Sequence, residues 1–242
     1  RALEIREKAY GKKHPAVALI LKNLAFLYAA TERHPESQNL FKRGISIDDL
    51  MRENVFLLLN EKQKLGYMNQ KELSIHAFMT HTVKYMQSSS QSITDTFNAW
   101  LKWKGAVAEA QGRYMDAAMQ SGDPEIKKKF DELTNIRREI AKMQLSKPDR
   151  GSFEDYRNRI AELQKQKETL EAELSRLSKD FALEKTIGRA DVKNISEILP
   201  KDSAYIDFAR IKFYDFKTNK FDKPKYLAFV LIPQKEPEVK LI

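Results

Sequence analysis

The sequence predicts a mainly helical protein that ends in a small antiparallel β meander. Only 8 glycines and 8 prolines occur among 242 residues, a composition typical of helical proteins. Apolar residues recur at intervals of three and four over most of the chain, which is the period of an amphipathic helix. After Gly188, β-branched and aromatic residues replace that pattern, and this change indicates strands.

Composition excludes several kinds of chemistry. The chain has no cysteine, so it can contain no disulfide, no thiolate zinc site and no cysteine nucleophile within these residues. Its longest apolar runs fall short of the roughly 18 residues that a membrane-spanning helix needs. We therefore expect a cytoplasmic protein without membrane contact. Arg1 lies inside a helical pattern, so we expect the chain to start at a cut rather than at a natural terminus.

The formal net charge of +9 is spread along the whole sequence. Its densest basic run, residues 127–129, shares a helical pattern with Asp131 and Glu132. Recognition of nucleic acid needs a local cluster of cations that follows the phosphate backbone. Because no such cluster exists, the sequence predicts no nucleic-acid partner.

A helical pair with an internal repeat opens the chain. Residues 1–5 recur as residues 43–47, and two helical patterns follow the first copy, over 16–30 and over 35–49, the second of which includes the second copy. The first pattern carries an apolar stripe of Val17, Ile20, Leu21, Leu24 and Leu27. Helical pairs that cannot bury their apolar faces alone are the units of solenoids, so we assign residues 1–50 to the last repeats of such an array.

Four short motifs in this segment resemble the tetratricopeptide repeat in its long, kinesin-light-chain-like form. They are residues 2–7, Gly11, His14-Pro15 and residues 21–28. The sequence departs from the family at two positions: Glu32 replaces the glycine between the helices, and Ser37 replaces the usual small residue in the second helix.

The resemblance implies a protein or peptide partner bound in a groove that the first helix of each pair lines. It places contacts with the peptide backbone on Asn23 and Lys22. The alternative is that both are ordinary polar residues on an exposed face, since about three repeats are usually needed for a stable binding surface.

Residues 51–120 are predicted to form a helical connector. We expect helices near residues 52–66, 70–87 and 93–119. Phe97, Trp100, Trp103 and Val107 fall at helical spacing within the last of them and are predicted to be core. The alternative, stacking of the tryptophans on nucleic-acid bases, lacks a basic groove.

Residues 121–190 are predicted to form an antiparallel coiled-coil hairpin. Asp123 is placed to cap a helix that starts at Pro124, and apolar residues repeat at heptad-like spacing from there to Leu145 and again from Phe153 to Phe181. The short loop between the two helices predicts that they fold back on each other. The apolar stripes of the two helices would then bury each other within one chain, so we expect a monomer, with dimerisation as the alternative.

Residues 191–242 are predicted to form three strands, over 204–216, 226–232 and 239–242. The apolar density of the second favours an internal strand that is buried on both faces. Three strands alone would leave one edge and at least one face of the sheet uncovered.

Five motifs in the second half of the sequence are similar to the lead-in and first strands of a CHAT domain. They are Trp103-Lys104-Gly105, Asp123-Pro124, Ile198-Leu199-Pro200 and residues 203–208 and 226–231, in this order. The CHAT domain is a caspase-like module that commonly follows tetratricopeptide repeats in bacterial proteins. The resemblance implies an α/β domain whose active members are cysteine peptidases, with a histidine and a cysteine on later strands.

No catalytic, metal or cofactor site is predicted in this chain. His14 and His34 are expected in interhelix loops, and all four histidines precede the first strand. His76 and His81 are five residues apart, not the four that would align two metal ligands on one helix face. We expect each histidine to be structural.

The sequence therefore predicts a non-catalytic fragment with a role in protein–protein interaction and scaffolding. The alternative from another class is the regulatory N-terminal half of a caspase-like cysteine peptidase. In that case the catalytic dyad would lie beyond residue 242.

Overall fold

The computed structural model describes residues 1–56, 59, 61–110, 123–146, 153–177, 190–234 and 236–242. Within these residues, eight helices precede three antiparallel strands, which confirms the predicted fold class. The helices are α1 (Ala2–Tyr10), α2 (Pro15–Ala30), α3 (His34–Val55), α4 (Glu61–Tyr85), α5 (Ser90–Ala110), α6 (Pro124–Leu145), α7 (Phe153–Leu177) and α8 (Val192–Ile198). The strands are β1 (Tyr205–Asp215), β2 (Lys220–Ile232) and β3 (Glu238–Leu241). None of the described helices combines the length and the apolarity of a membrane span.

The chain forms two compact units, each built from segments that are distant in sequence. The first contains Arg1–Ile20, Ile47–Met68 and Ala106–Arg189. The second contains Leu21–Ser46, Asn69–Gly105 and Ala190–Ile242.

In the first unit, α6 and α7 form an antiparallel helical hairpin. As predicted, Asp123 caps α6, because its Oδ1 accepts a hydrogen bond from the backbone N–H of Glu125 at 2.8 Å, and Pro124 lies in the first turn. The shared apolar core contains Ile126, Phe130, Leu133, Leu170 and Leu174. Ion pairs such as Lys129 with Glu173 and Glu139 with Arg159, each 2.7 Å long, join the helices along their outside.

Buried charges lie between the two helices of the hairpin. Arg137 donates to Glu171 at 2.7 Å, and both side chains are buried. Lys167 lies 3.7 Å from the same carboxylate and 3.2 Å from Glu53 of α3. A misaligned hairpin would separate these charges in a dry environment, so the ion pairs favour one register.

The start of α7 packs on the turn between α1 and α2. The ring of Tyr10 stacks on His14 at 4.6 Å and meets Phe153 edge-on at 5.7 Å. Arg157 donates to the carbonyl oxygen of Lys8 in the last turn of α1, at 3.1 Å. The hairpin is therefore held on the repeat segment of the first unit.

In the second unit, one face of the sheet packs on α4 and α5. The strand order is β1-β2-β3, and all neighbours are antiparallel. Phe229 of β2 stacks on Phe97 of α5 at a ring distance of 4.6 Å. Trp100 is buried and Trp103 is partly buried in the same core, as the sequence predicts, whereas the side chain of Val107 lies outside the described part of the chain.

The second strand differs from its prediction in two ways. It starts at Lys220 rather than at residue 226, because Asn219 takes a left-handed φ of 56°, which asparagine tolerates, and closes a short turn. The expectation of burial on both faces is wrong: Leu227, Phe229 and Leu231 are buried, whereas Tyr226 is exposed. The physical reason is that helices cover only one face of the sheet in the described residues.

The helix boundaries in the middle of the chain also differ from the expected ones. Helix α3 continues to Val55, and α4 runs through Gly66 without the predicted break after it. A single glycine inside a helix costs only about 1 kcal/mol relative to alanine, so the 25 residues of α4 remain one helix.

Candidate functional site

Helix α2 has one buried side and one exposed side. Val17, Leu21, Ala25 and Ala29 are buried, and each lies four residues after the one before. On another face of the same helix, Leu19 and Leu27 are more than half exposed, and Asn23 lies exposed between them, also four residues from each. An exposed amide that is flanked by two exposed leucines is a feature that a peptide partner could use.

The structure separates the two predicted contact residues. Asn23 is exposed, but Lys22 is only 8 % exposed, because successive residues of a helix point about 100° apart. The spacing of Leu27 predicts a place on the buried apolar stripe, and this prediction is wrong, since the side chain of Leu27 is 55 % exposed. We define Asn23 and Leu27 as the α2 site.

Contacts from α3 hold the helix turn that carries the α2 site. The hydroxyl of Ser37 donates to the backbone carbonyl of Ala25 at 2.8 Å, and Ser37 is fully buried. Phe26 packs edge-on against Phe41 at 5.2 Å. Ser37 is one of the two departures from the family pattern, and here its hydroxyl joins the two helices directly.

The other departure lies in the turn between α2 and α3. Glu32 adopts a left-handed φ of 64°, which is strained for a residue with a side chain and free for glycine. The hydrogen bond from the N–H of Arg33 to the carbonyl of Tyr28, at 2.8 Å, closes the turn. The backbone thus has the conformation that the family's glycine would favour.

A buried polar cluster holds α3, α4 and α5 together behind this helical pair. Gln38 of α3 donates to Thr82 of α4 at 2.9 Å, and Thr82 is 2.6 Å from Thr96 of α5. The Oε1 of Gln38 lies 2.8 Å from Nδ1 of His81, which is completely buried. Burial, and to a lesser extent the neighbouring His34, lowers the pKa of His81 to about 4, so this imidazole is neutral at pH 7.

His14 and His34 also lie in structural surroundings. His14 precedes α2, and its Nδ1 accepts the N–H of Ala16 at 3.0 Å; burial and Arg6 lower its pKa to about 4. His34 is the first residue of α3, rather than a loop residue, and stacks on Tyr85 at 3.9 Å. Among the described residues, no three histidine or carboxylate side chains form a group that could hold a metal ion.

Asp207 is a buried carboxylate on β1 with three donors. It accepts hydrogen bonds from Trp100 at 3.0 Å, from Lys104 at 2.7 Å and from the hydroxyl of Tyr205 at 2.8 Å. Burial by itself raises the pKa of Asp207, but the three hydrogen bonds and the Lys104 charge together outweigh it and hold the pKa below its usual value. A carboxylate that is ionised and saturated with donors serves to fix structure rather than to move protons.

A family model described as "Tetratricopeptide repeat" matches residues 1–49. The matched segment includes α1, α2 and most of α3, and therefore the α2 site. No curated protein and no solved structure matches the chain. The chain thus opens with a segment similar to a repeat that serves protein–protein interaction.

Proposed function

We propose that this chain is a protein-interaction segment that binds an extended peptide along α2, with Asn23 and Leu27 as its contact residues. The observation that carries the proposal is the exposure of both side chains on the helix that the repeat match includes. Lys22 is not part of the proposed site, since it is buried.

The chemistry of the two side chains suits a peptide backbone with a neighbouring apolar residue. The amide of Asn23 can donate to a peptide carbonyl and accept from a peptide N–H at the same time. Leu27 lies one turn further along α2, about 6 Å away. Two residues of an extended peptide span about 6.6 Å, so an apolar side chain near the bound peptide unit reaches Leu27.

The rigidity of the helical pair supports this proposal. Ser37 fixes the turn of α2 between the two contact residues, and the cluster around Gln38 fixes α3. A surface that is already ordered loses little conformational entropy on binding, which favours affinity.

We further propose that residues 191–242 begin a CHAT-like domain and that the whole chain is part of a monomeric, cytoplasmic bacterial scaffold. A contact between two of the resembling motifs supports the CHAT-like part of this proposal: Lys104 of the lead-in pairs with Asp207 of the first strand at 2.7 Å. The same contact favours, as second candidate, the regulatory half of a cysteine peptidase. The gene sequence after Ile242 separates the two, since only the peptidase requires a histidine and a cysteine at later strand ends.

Selection from a random peptide library tests the proposed site. Peptides selected on the intact chain are measured by fluorescence anisotropy against Asn23→Ala, Leu27→Ser and the control Asn39→Ala, which removes an exposed asparagine of α3. We expect the first two variants to weaken binding at least tenfold and the control to leave it unchanged. Equal binding by all four proteins would overturn the proposal.

A further inference from the structure

The α6–α7 hairpin lies across two helices of the repeat segment, α1 and α3. Its first contact is with α1, where Arg157 donates to the backbone carbonyl of Lys8 at 3.1 Å. The rings of Phe153 and Tyr156 meet the ring of Tyr10 edge-on, at 5.7 and 6.5 Å. This contact therefore involves the first turns of α7.

The second contact of the hairpin is with α3, and it begins about 15 Å further along α7, by the rise of an α-helix. There Lys167 lies 3.2 Å from Glu53. Ala141 of α6 packs on Met51 and Val55 of α3. We call these contacts of the hairpin with α1 and α3 the docking seam.

The core of the hairpin is built from its own residues. Leu133 and Leu174 are completely buried in the apolar cluster between α6 and α7, and the ion pair of Lys129 with Glu173 closes it on the outside. In the apolar cluster that joins α6 to α3, the member from the hairpin is Ala141, whose side chain buries little apolar area. The hairpin is thus held together more firmly than it is held on the repeat segment.

Two buried hydrogen-bond donors lie where α7 meets the turn before α2. His14 and Tyr156 are each 7 % exposed, and their rings are 6.0 Å apart. Nδ1 of His14 accepts the N–H of Ala16, so Nε2 carries the proton of the neutral ring. Neither this N–H nor the hydroxyl of Tyr156 has a hydrogen-bond partner among the described residues. A group that loses water on docking and gains no hydrogen bond opposes docking.

We propose that the α6–α7 hairpin switches between a docked and a released state, and that it leaves α1 and α3 as an intact hairpin while the repeat segment stays folded. Release exposes Met51 and Val55 of α3 and returns the hydroxyl of Tyr156 to water. The two states therefore differ in whether this surface of the repeat segment is covered or available. The switch is separate from the α2 site, since neither Asn23 nor Leu27 belongs to the docking seam.

Single introduced thiols measure release. The chain has no cysteine, so Ala141→Cys and Val55→Cys each place its only thiol in the docking seam, from opposite sides, and Leu133→Cys places it in the core of the hairpin. Maleimide labelling is followed at increasing urea, because the slope of the logarithm of the rate increases with the surface that the opening exposes. We expect the two seam thiols to share a slope of about one third of that for Leu133→Cys, since release exposes less surface than unfolding of the hairpin.

The hydroxyl of Tyr156 provides a second readout. In the Ala141→Cys background, Tyr156→Phe keeps the ring and removes the hydroxyl that docking leaves without a partner. We therefore expect labelling to become at least fivefold slower. Tyr226→Phe, at an exposed tyrosine of the second unit, is the control and should leave the labelling rate unchanged.

Three results would overturn the proposal. One common slope for all three thiols would show that the docking seam opens only when the hairpin itself unfolds. A shallow slope for only one of the two seam thiols would show local fraying of one helix rather than release. Equal or faster labelling after Tyr156→Phe would show that the hydroxyl does not oppose docking.

Discussion

The indole N–H of Trp100 donates to the carboxylate of Asp207 at 3.0 Å, although 107 residues separate the two in the chain. This contact joins α5 to β1 and is reinforced by Lys104, 2.7 Å from the same carboxylate. Side chains of α5 and the hydroxyl of Tyr205 on β1 thus all donate to the one buried carboxylate of Asp207.

Removal of this carboxylate should destabilise the second unit. Asp207→Ala leaves the indole of Trp100 without its acceptor in a dry environment, and we expect a loss of about 3 kcal/mol in the free energy of unfolding. Both tryptophans of the chain lie in this unit, so urea unfolding followed by tryptophan fluorescence reports on it. Asp202→Ala, in an exposed turn, is the control and should change stability by less than about 0.5 kcal/mol. An equally mild effect of Asp207→Ala would contradict the assigned role.

The buried imidazole of His81 should make the second unit acid-sensitive. Its pKa is about 4 in the folded protein and 6.5 as a free side chain, so between these values only the unfolded chain binds the proton. Stability therefore falls as the pH falls from 6.5 towards 4, by up to about 3 kcal/mol for this group. His81→Asn should lose less stability than wild type between pH 7 and pH 5 in the same fluorescence measurement. Parallel losses in the two proteins would show that other groups cause the acid sensitivity.

The turn between α2 and α3 should gain stability from glycine. Glu32→Gly removes a side chain from a left-handed residue, which is expected to stabilise the unit by about 1 kcal/mol. Glu32→Ala is the matched control, because it also removes the exposed pair with Lys217 but keeps the backbone strain. Thermal unfolding compares the three proteins. If the alanine variant gains as much as the glycine variant, backbone strain is not the cause.

The buried ion pair of the hairpin should be more costly to break than to replace. Arg137→Met removes the buried guanidinium that donates to Glu171, and we expect a loss of about 3 kcal/mol in stability. Adding Glu171→Met replaces the buried carboxylate as well and should recover most of that loss. Helix unfolding measured by circular dichroism tests both variants. A double variant that is weaker than the single one would contradict this account.

The hairpin should not associate between chains. Leu170 and Leu174 already pack on α6 within the same molecule, so the apolar surface that a coiled-coil dimer would use is occupied. We expect the mass of a monomer in light scattering at micromolar concentration. A dimer that Leu170→Asp dissociates would show that the hairpin exchanges helices between chains.

Local signals in the sequence predicted the elements well, but not their assembly. The cap at Asp123 and the turn at Pro124 depend on neighbours within three residues, and the structure shows both. The pairing of Trp100 with Asp207 depends on two segments that are far apart, and no local pattern encodes which segments meet.

The same limit applies to the candidate site. Resemblance predicted Asn23, which is exposed, together with Lys22, which is buried. Leu27 has the spacing of a core residue, and only its neighbours in three dimensions decide that it faces solvent. The alternation of β2 was missed for a related reason, because helices that lie far away in the sequence cover one face of the sheet and not the other.

The side-chain amide of Asn23 offers the most direct test of the peptide-binding proposal. A peptide selected on the intact chain is titrated into ¹⁵N-labelled protein, and the side-chain amide signals of Asn23 and of the exposed Asn39 are compared by NMR. The account predicts that the Asn23 signal shifts in proportion to the bound fraction while the Asn39 signal stays in place. A peptide that saturates the protein without moving the Asn23 signal would contradict it.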